Sequence, residues 1–316
     1  MSAHDLETST KNHEARARTP ASVHAALFIV QVAYASLAVE GKIAMGPLYR
    51  VSPEALAMMR ILGGALVFVP AYLLSPQAPK VELRRDRFVL VVLAIFGVAL
   101  NQALFLRGLS QTSPMTAILL IATIPVFTAL FAVIAGRDRL TLRMAVGLVL
   151  AVFGVIALSG FAVPHQGDAF VLLNAASYAI YVVFSKSAVV RYGALAVMAW
   201  VFGAATILFA PIGAASLVRD VPHWSLGAYA LVAFVVLVPT VLAYGVNAWA
   251  LGRATPTLVT IYIYLQPLVV IALSAMQLGQ TPQTASLFGG LFILAGVTTV
   301  ALPKSQSGSR ARTKQR

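Results

Sequence analysis

Residues 109–158, LSQTSPMTAILLIATIPVFTALFAVIAGRDRLTLRMAVGLVLAVFGVIAL, and residues 251–300, LGRATPTLVTIYIYLQPLVVIALSAMQLGQTPQTASLFGGLFILAGVTTV, align without a gap at a constant offset of 142. Leu109 falls on Leu251, Pro114 on Pro256, Pro125 on Pro267, Gly147 on Gly289 and Gly154 on Gly296. Any two apolar stretches share leucine and valine by chance. Proline and glycine mark backbone geometry, so their agreement at one offset carries more weight. The chain therefore reads as an internal repeat, and everything around these segments is read on that basis.

A second match, at an offset of 144, sets Tyr34-Ala35 on Tyr178-Ala179 and Lys42 on Lys186. The repeat thus reaches back over the whole of each half. Apolar runs long enough to cross a bilayer fall near 24–44, 54–74, 87–106, 114–135, 142–162, 168–185, 195–217, 226–249, 256–276 and 283–302. Turn residues punctuate the short connections, among them Gly46-Pro47, Ser75-Pro76, Pro164 with Gly167, and Thr281-Pro282. Composition agrees, with 59% hydrophobic and 10% charged residues in a chain of 316. A soluble chain carries about 25% charged residues. The short alternating segments of a β-barrel are absent. The expected fold is an all-α integral membrane protein with ten transmembrane helices in two five-helix repeats, 23–162 and 163–302. Polar tails at 1–22 and 303–316 flank them.

The net charge of +13 resembles a nucleic-acid signal until its positions are plotted. One side of the predicted membrane holds Lys11, Arg16, Arg18, Lys80, Arg84, Arg85, Arg87, Arg137, Arg139, Arg143, Lys186, Arg191, Arg253, Lys304, Arg310, Arg312, Lys314 and Arg316, 18 in all. The other holds Lys42, Arg50, Arg107 and Arg219. This bias puts both termini in the cytoplasm of a multi-pass cell-membrane protein, a bacterial inner membrane being the expected location. The C-terminal basic tail is a topology anchor at the lipid surface, and no nucleic acid is implied. Residues 1–20 lack a signal-peptide pattern, so the first span is expected to serve as an uncleaved insertion signal. Five spans per half is an odd number. The second half must then enter from the opposite side, giving inverted repeats, an arrangement that recurs in carriers with a mid-membrane site.

With these features the sequence resembles the drug/metabolite transporter superfamily, EamA type. The resemblance rests on the two five-span halves, the Tyr34…Lys42 and Tyr178…Lys186 spacings, and Arg60 in span 2. It also rests on the helix starts Gly108-Leu109-Ser110-Gln111-Thr112-Ser113-Pro114 and Ala250-Leu251-Gly252-Arg253-Ala254-Thr255-Pro256, and on Gly-x6-Gly in spans 5 and 10. It implies a ten-helix carrier of small metabolites, often an exporter, working by alternating access. The halves differ in one respect: Tyr264 and Gln266 of span 9 have apolar counterparts, Ala122 and Ile124, at the matching positions of span 4. Substrate contacts are therefore expected to be lopsided.

Polar residues on inward helix faces are the candidates for substrate contact. Span 6 offers Asn174, Ser177, Tyr178, Tyr181 and Ser185 on one stripe. Span 8 offers Thr240, Tyr244 and Asn247, and span 9 offers Thr257, Thr260 and Tyr264, with Tyr262 and Gln266 adjoining. Gln31 and Tyr34 sit in span 1, and Asn101 and Gln102 in span 3. Such residues either line a cavity or hydrogen-bond helices together. The proposed substrate set is Tyr34, Asn101, Gln102, Asn174, Tyr178, Tyr181, Tyr244, Asn247, Tyr264 and Gln266. A gating or coupling set comprises Glu40, Arg60, Lys42, Lys186, Pro125 and Pro267. Pro125 and Pro267 read as hinges or as static kinks. Lys42 and Lys186 read as gates or as side chains snorkelling to the headgroups. Glu40 and Arg60 lie about 6 and 9 Å from the outer end of their spans, similar depths that allow an ion pair.

There are no cysteines, so disulfides and thiolate chemistry are excluded. His4, His13, His24, His165 and His223 sit in tails, loops or span ends without metal-ligand spacing. No cofactor, metal or nucleotide-binding loop is implied, and an enzyme is not expected. The expected function is secondary transport of a small neutral or zwitterionic, amino-acid-like metabolite, in the export direction. The alternative is proton-coupled multidrug efflux using Glu40. The partners are the metabolite and the bilayer; the sequence sets no oligomeric state and is compatible with a monomer.

Overall fold

A computed structural model describes residues 20–136, 141–158, 165–254 and 256–301. Most of the two tails, and the basic residues Arg137 and Arg139, lie outside the described residues, as do the side chains of Arg143 and Thr257. All regular structure in the described part is helical. Helix α1 is Ala21–Ala44, α2 Pro53–Leu73, α3 Arg84–Gln111, α4 Pro114–Ile134 and α5 Leu142–Leu158. The stretch Gln166–Asp220 holds α6 (166–192) and α7 (194–220); α8 is Leu226–Arg253, α9 is 256–278 and α10 is Thr284–Ala301. Among the described residues, seven helices are long and apolar enough to cross a membrane, counting Gln166–His223 as one. Met144–Ala157 and Ser286–Gly296 are shorter apolar helices. Large apolar side chains such as Leu66, Ile207 and Leu291 stand exposed around the bundle, as lipid contact requires.

Local chemistry explains where the helices begin. Ser52, Ser113 and Ser225 each accept a hydrogen bond from the backbone N–H three residues on, and Pro53 and Pro114 occupy first-turn positions where no N–H is needed. His165 and Asp168 form a reciprocal cap for α6. The loop expected between 185 and 195 is replaced by helix broken only at Gly193. Lys186 to Tyr192 contains no proline or glycine, so nothing ends the helix earlier. Gly193 has φ 77° and ψ 161°, a conformation open to glycine and costly for other residues.

Several backbone devices recur at the offset of the sequence repeat. A π-turn at Ile95–Ala99 widens α3, and another at Leu237–Leu242 widens α8. Helix α4 is interrupted at Ala122-Thr123, and α9 passes through a 3₁₀ segment at Tyr262–Leu265. Pro125 and Pro267 fall in the first turn after each interruption. They start new helical segments there, so neither kinks a continuous helix. Lys42 Nζ donates to the carbonyls of Leu109, Ser110 and Thr112 at 3.0, 3.1 and 2.8 Å. Lys186 Nζ donates to Leu251 and Ala254 at 2.5 and 2.8 Å. Each ammonium thus caps the carbonyl end of a neighbouring helix, where its charge also suits the helix dipole.

Helices α5 and α10 run antiparallel in close contact. A Cβ added at Gly154 would lie 2.6 Å from Ile293 N and 2.8 Å from Gly289 O. One at Gly296 would lie 2.5 Å from Gly147 O and 2.8 Å from Ala151 N. Only glycine lets the two backbones approach this closely.

Polar contacts gather at the two ends of the bundle. At one end Lys42 caps α3, Thr112 Oγ1 donates to Asp168 at 2.9 Å, the Ser52 N–H donates to Asp220 at 3.0 Å, and Arg107 pairs with Glu54 at 3.1 Å. At the other, Asp86 accepts from Arg191 at 2.9 Å and from the Tyr192 hydroxyl, while Lys186 caps α8.

Candidate functional site

Between these two polar ends lies a cavity of about 80 Å³. Helix α1 contributes Gln31, Tyr34 and Leu37, α2 Arg60, α3 Asn101 and Phe105, α6 Asn174 and Tyr178, and α8 Tyr244 and Asn247. Helix α4 supplies Ile118, Ile121 and Ile124, and α9 supplies Val259, Thr260, Ile263 and Gln266. The wall is therefore divided. Helices α1, α2, α3, α6 and α8 present most of the polar groups, and α4 presents only aliphatic ones.

The polar wall is built on the two π-turns. A wider turn disturbs the regular backbone pairing and leaves carbonyls for side chains to satisfy. In α3 the Phe96 carbonyl accepts from Ser177 Oγ at 2.7 Å, and the Asn101 carbonyl accepts from Asn174 Nδ2 at 2.8 Å. In α8 Pro239 has no N–H to give the Val235 carbonyl, and Thr240 Oγ1 donates to that carbonyl at 2.9 Å. Arg60 Nε in turn donates to Thr240 Oγ1 at 2.8 Å, and Arg60 Nη2 donates to the Pro239 carbonyl at 3.4 Å. The Tyr244 hydroxyl donates to Asn101 Oδ1 at 3.2 Å, and Asn247 Nδ2 donates to the Tyr178 hydroxyl at 3.0 Å. Across the cavity, Gln266 Nε2 donates to Gln31 Oε1 at 2.5 Å. Tyr34 meets Tyr244 edge to face at 5.7 Å.

Seven of the ten residues expected to touch substrate line this cavity: Tyr34, Asn101, Asn174, Tyr178, Tyr244, Asn247 and Gln266. The other three do not. Gln102 is fully buried outside it, with neither end of its amide hydrogen-bonded. Adjacent helical residues point about 100° apart, so Asn101 and Gln102 cannot share a face. Tyr181 packs on Gly97 in the α3 π-turn, whose missing side chain leaves room for the ring. Tyr264 sits in the 3₁₀ segment of α9 with its hydroxyl buried and unpartnered.

The Glu40–Arg60 ion pair does not form. Glu40 Oε1 accepts from Gln277 Nε2 at 2.9 Å at the end of α1, away from the cavity lining. Arg60, 2% exposed, is drawn instead to the carbonyl and hydroxyl that the α8 π-turn presents. Similar depth is insufficient because α1 and α2, consecutive in sequence, each pack against α8 and not closely against each other. The π-turns themselves had only one sequence signal, Pro239 in mid-span. The aliphatic wall from α4 is indistinguishable in sequence from lipid-facing surface.

No carboxylate or histidine is among the residues that line the cavity. Among the described residues no cluster of His, Cys, Asp or Glu could hold a metal ion.

Comparison with known proteins follows the same lines. The model of the EamA-like transporter family matches the chain twice, over residues 22–160 and 165–302. The chain is 25% identical over 254 residues to the uncharacterized transporter YdfC of Bacillus subtilis, covering 78% of this chain and 81% of that protein. It is 28% identical over 219 residues to a probable terminal-alkyne amino-acid exporter of Streptantibioticus cattleyicolor, covering 68% and 73%. A protein of known crystal structure superposes with a TM-score of 0.61 at 17% identity over 89% of this chain and 97% of that one, a likeness of fold alone.

Proposed function

The chain belongs to the EamA-like transporter family, and from that premise we propose that it is a secondary carrier exporting a small amphipathic, amino-acid-like metabolite across the cytoplasmic membrane by alternating access. The observation that carries the proposal is the divided cavity, lined by helices from both halves of the chain. Its polar wall suits the head of an amphipathic solute and its α4 wall suits an apolar side chain. The relative from S. cattleyicolor, named as a probable amino-acid exporter, supports the cargo class and the direction.

The proposal includes ten spans in two inverted halves, 23–162 and 163–302, with both termini cytoplasmic. Splitting the long helix at Gly193 and adding the two shorter apolar helices to the seven spans gives that number. The paired π-turns, the paired interruptions and the paired lysine caps support a duplicated unit. The reciprocal Gly154 and Gly296 contacts support a two-fold relation between the halves. Alternating access then consists of opening one polar end while the other holds. Multidrug efflux through Glu40 finds no support, because Glu40 is outside the cavity.

The test is a metabolite-toxicity panel in cells overexpressing the protein, followed by uptake of the protective compounds into inverted vesicles with and without a proton gradient. Saturable, counterflow-competent transport is expected. Transport unchanged by both Tyr178→Ala and Asn247→Ala would overturn the assignment of the cavity as the substrate site.

A further inference from the structure

Arg60 is a buried charge without a counter-charge. Its side chain lines the cavity and is 2% exposed. The partners it has, Thr240 Oγ1 and the Pro239 carbonyl, are neutral. The ion pairs among the described residues are Arg107–Glu54, Arg191–Asp86 and Arg219–Asp220, and none of them includes Arg60. No Asp or Glu lines the cavity. Holding a guanidinium at this depth is costly unless an anion answers it.

The rest of the cavity indicates what that anion is attached to. Asn174 donates through Nδ2 to the Asn101 carbonyl, which leaves its Oδ1, a buried acceptor, without a partner. An acceptor of that kind suits an ammonium or amide donor. Ile118, Ile121 and Ile124 offer an aliphatic surface to the remainder of the molecule. A guanidinium presents a planar fork of donors that matches a carboxylate bidentately and does not match a cation or a carboxamide.

We infer that Arg60 anchors the carboxylate of the transported solute, so that the cargo is an aliphatic amino or carboxylic acid and not an amide or a cation that lacks a carboxylate. The inference rests on the carrier reading above and specifies its amphipathic solute as one that bears a carboxylate, zwitterionic or anionic. In the empty cavity the guanidinium stays on Thr240 and Pro239. The bound acid then supplies the missing negative charge, and the cost of the buried cation becomes selectivity.

The test uses the full-length protein in nanodiscs and three probes: L-norvaline, L-norvalinamide and pentanoate. Binding is read as the ligand-induced shift in melting midpoint over a millimolar titration. Norvaline and pentanoate are expected to bind wild type at least roughly tenfold more tightly than norvalinamide. Arg60→Gln should remove that preference, and Arg60→Lys should keep it in weakened form. A purely structural role for Arg60 would lower the melting midpoint of the ligand-free variant and leave the acid-to-amide ratio intact, which would overturn the inference. Equal binding of acid and amide to wild type, or no binding of either acid, would also overturn it. If Arg60→Gln does not fold, the wild-type ratio and Arg60→Lys still decide. Counterflow in proteoliposomes from the same preparations separates the two claims. Norvaline bound but not moved sinks the carrier reading for this class and spares the anchor; norvaline moved without an acid preference does the reverse.

Discussion

Replacing Gly296 with alanine tests the contact between α5 and α10. The new methyl would lie 2.5 Å from the Gly147 carbonyl oxygen and 2.8 Å from the Ala151 nitrogen. Both are backbone atoms and cannot rotate aside. Restoring an ordinary contact of 3.4 Å requires the helices to part by roughly 0.9 Å at that point. Overpacking of this kind costs about 1–3 kcal/mol. The expected loss is on the order of 5 °C in the melting midpoint of the protein in nanodiscs. Gly154→Ala meets Ile293 N and Gly289 O in the same way and should lose a similar amount. Because the two substitutions strain one interface, the double variant should lose less than the sum. Gly252→Ala serves as the control, since its methyl would meet only Val189 Cγ1 at 3.5 Å. The reasoning is refuted if Gly296→Ala and Gly154→Ala melt with the control, or if only one of them is affected.

Other expectations follow from the same contacts. Lys186→Met and Lys42→Met each remove a charged cap from a helix end and should cost about 1.5–3 kcal/mol, measured by thermal melting; a variant that melts with wild type shows that the cap contributes nothing. Gly193→Ala forces a left-handed φ on a residue with a Cβ and should cost about 1–3 kcal/mol in the same assay, with no loss if the hinge can change its backbone angles freely. Asn247→Ala removes the donor to Tyr178 and should lower transport by several-fold while costing only about 1 kcal/mol of stability. Because the chain has no cysteines, Leu48→Cys and Ala78→Cys can be labelled singly in intact cells. The proposed topology predicts that a membrane-impermeant maleimide reaches Leu48→Cys from outside and Ala78→Cys only after lysis.

The sequence made the helical membrane class and the repeat legible because proline and glycine report backbone geometry directly. Pro125 and Pro267 read in sequence as hinges or kinks, and in the structure each sits in the first turn of a new helical segment after a break. Lys42 and Lys186 were paired by sequence alone, but their acceptors were not foreseeable, since carbonyls on α3 and α8 leave no mark in a side-chain pattern. Helical periodicity brought seven of ten candidates to one cavity. Gln102, Tyr181 and Tyr264 fall outside it: Gln102 is one residue's rotation from Asn101, Tyr181 packs on Gly97, and Tyr264 sits in a local 3₁₀ turn. The pairing of Arg60 with Glu40 fails for a related reason. Depth was computable from position, but the direction of a long side chain depends on a π-turn in another helix, 179 residues away in sequence.

The matched interruptions of α4 and α9 have a consequence for how the two halves share their work. Each provides the same break in the same place, yet one is flanked by Ala122 and Ile124 and the other by Tyr264 and Gln266. After a duplication, the copies need to preserve a common stroke but not a common grip. In the proposed carrier, α9 can vary a lining side chain such as Gln266 while α4 keeps its aliphatic surface of Ile118, Ile121 and Ile124. Under that proposal, specificity drifts through substitutions in α9 while the backbone break that both copies share is kept.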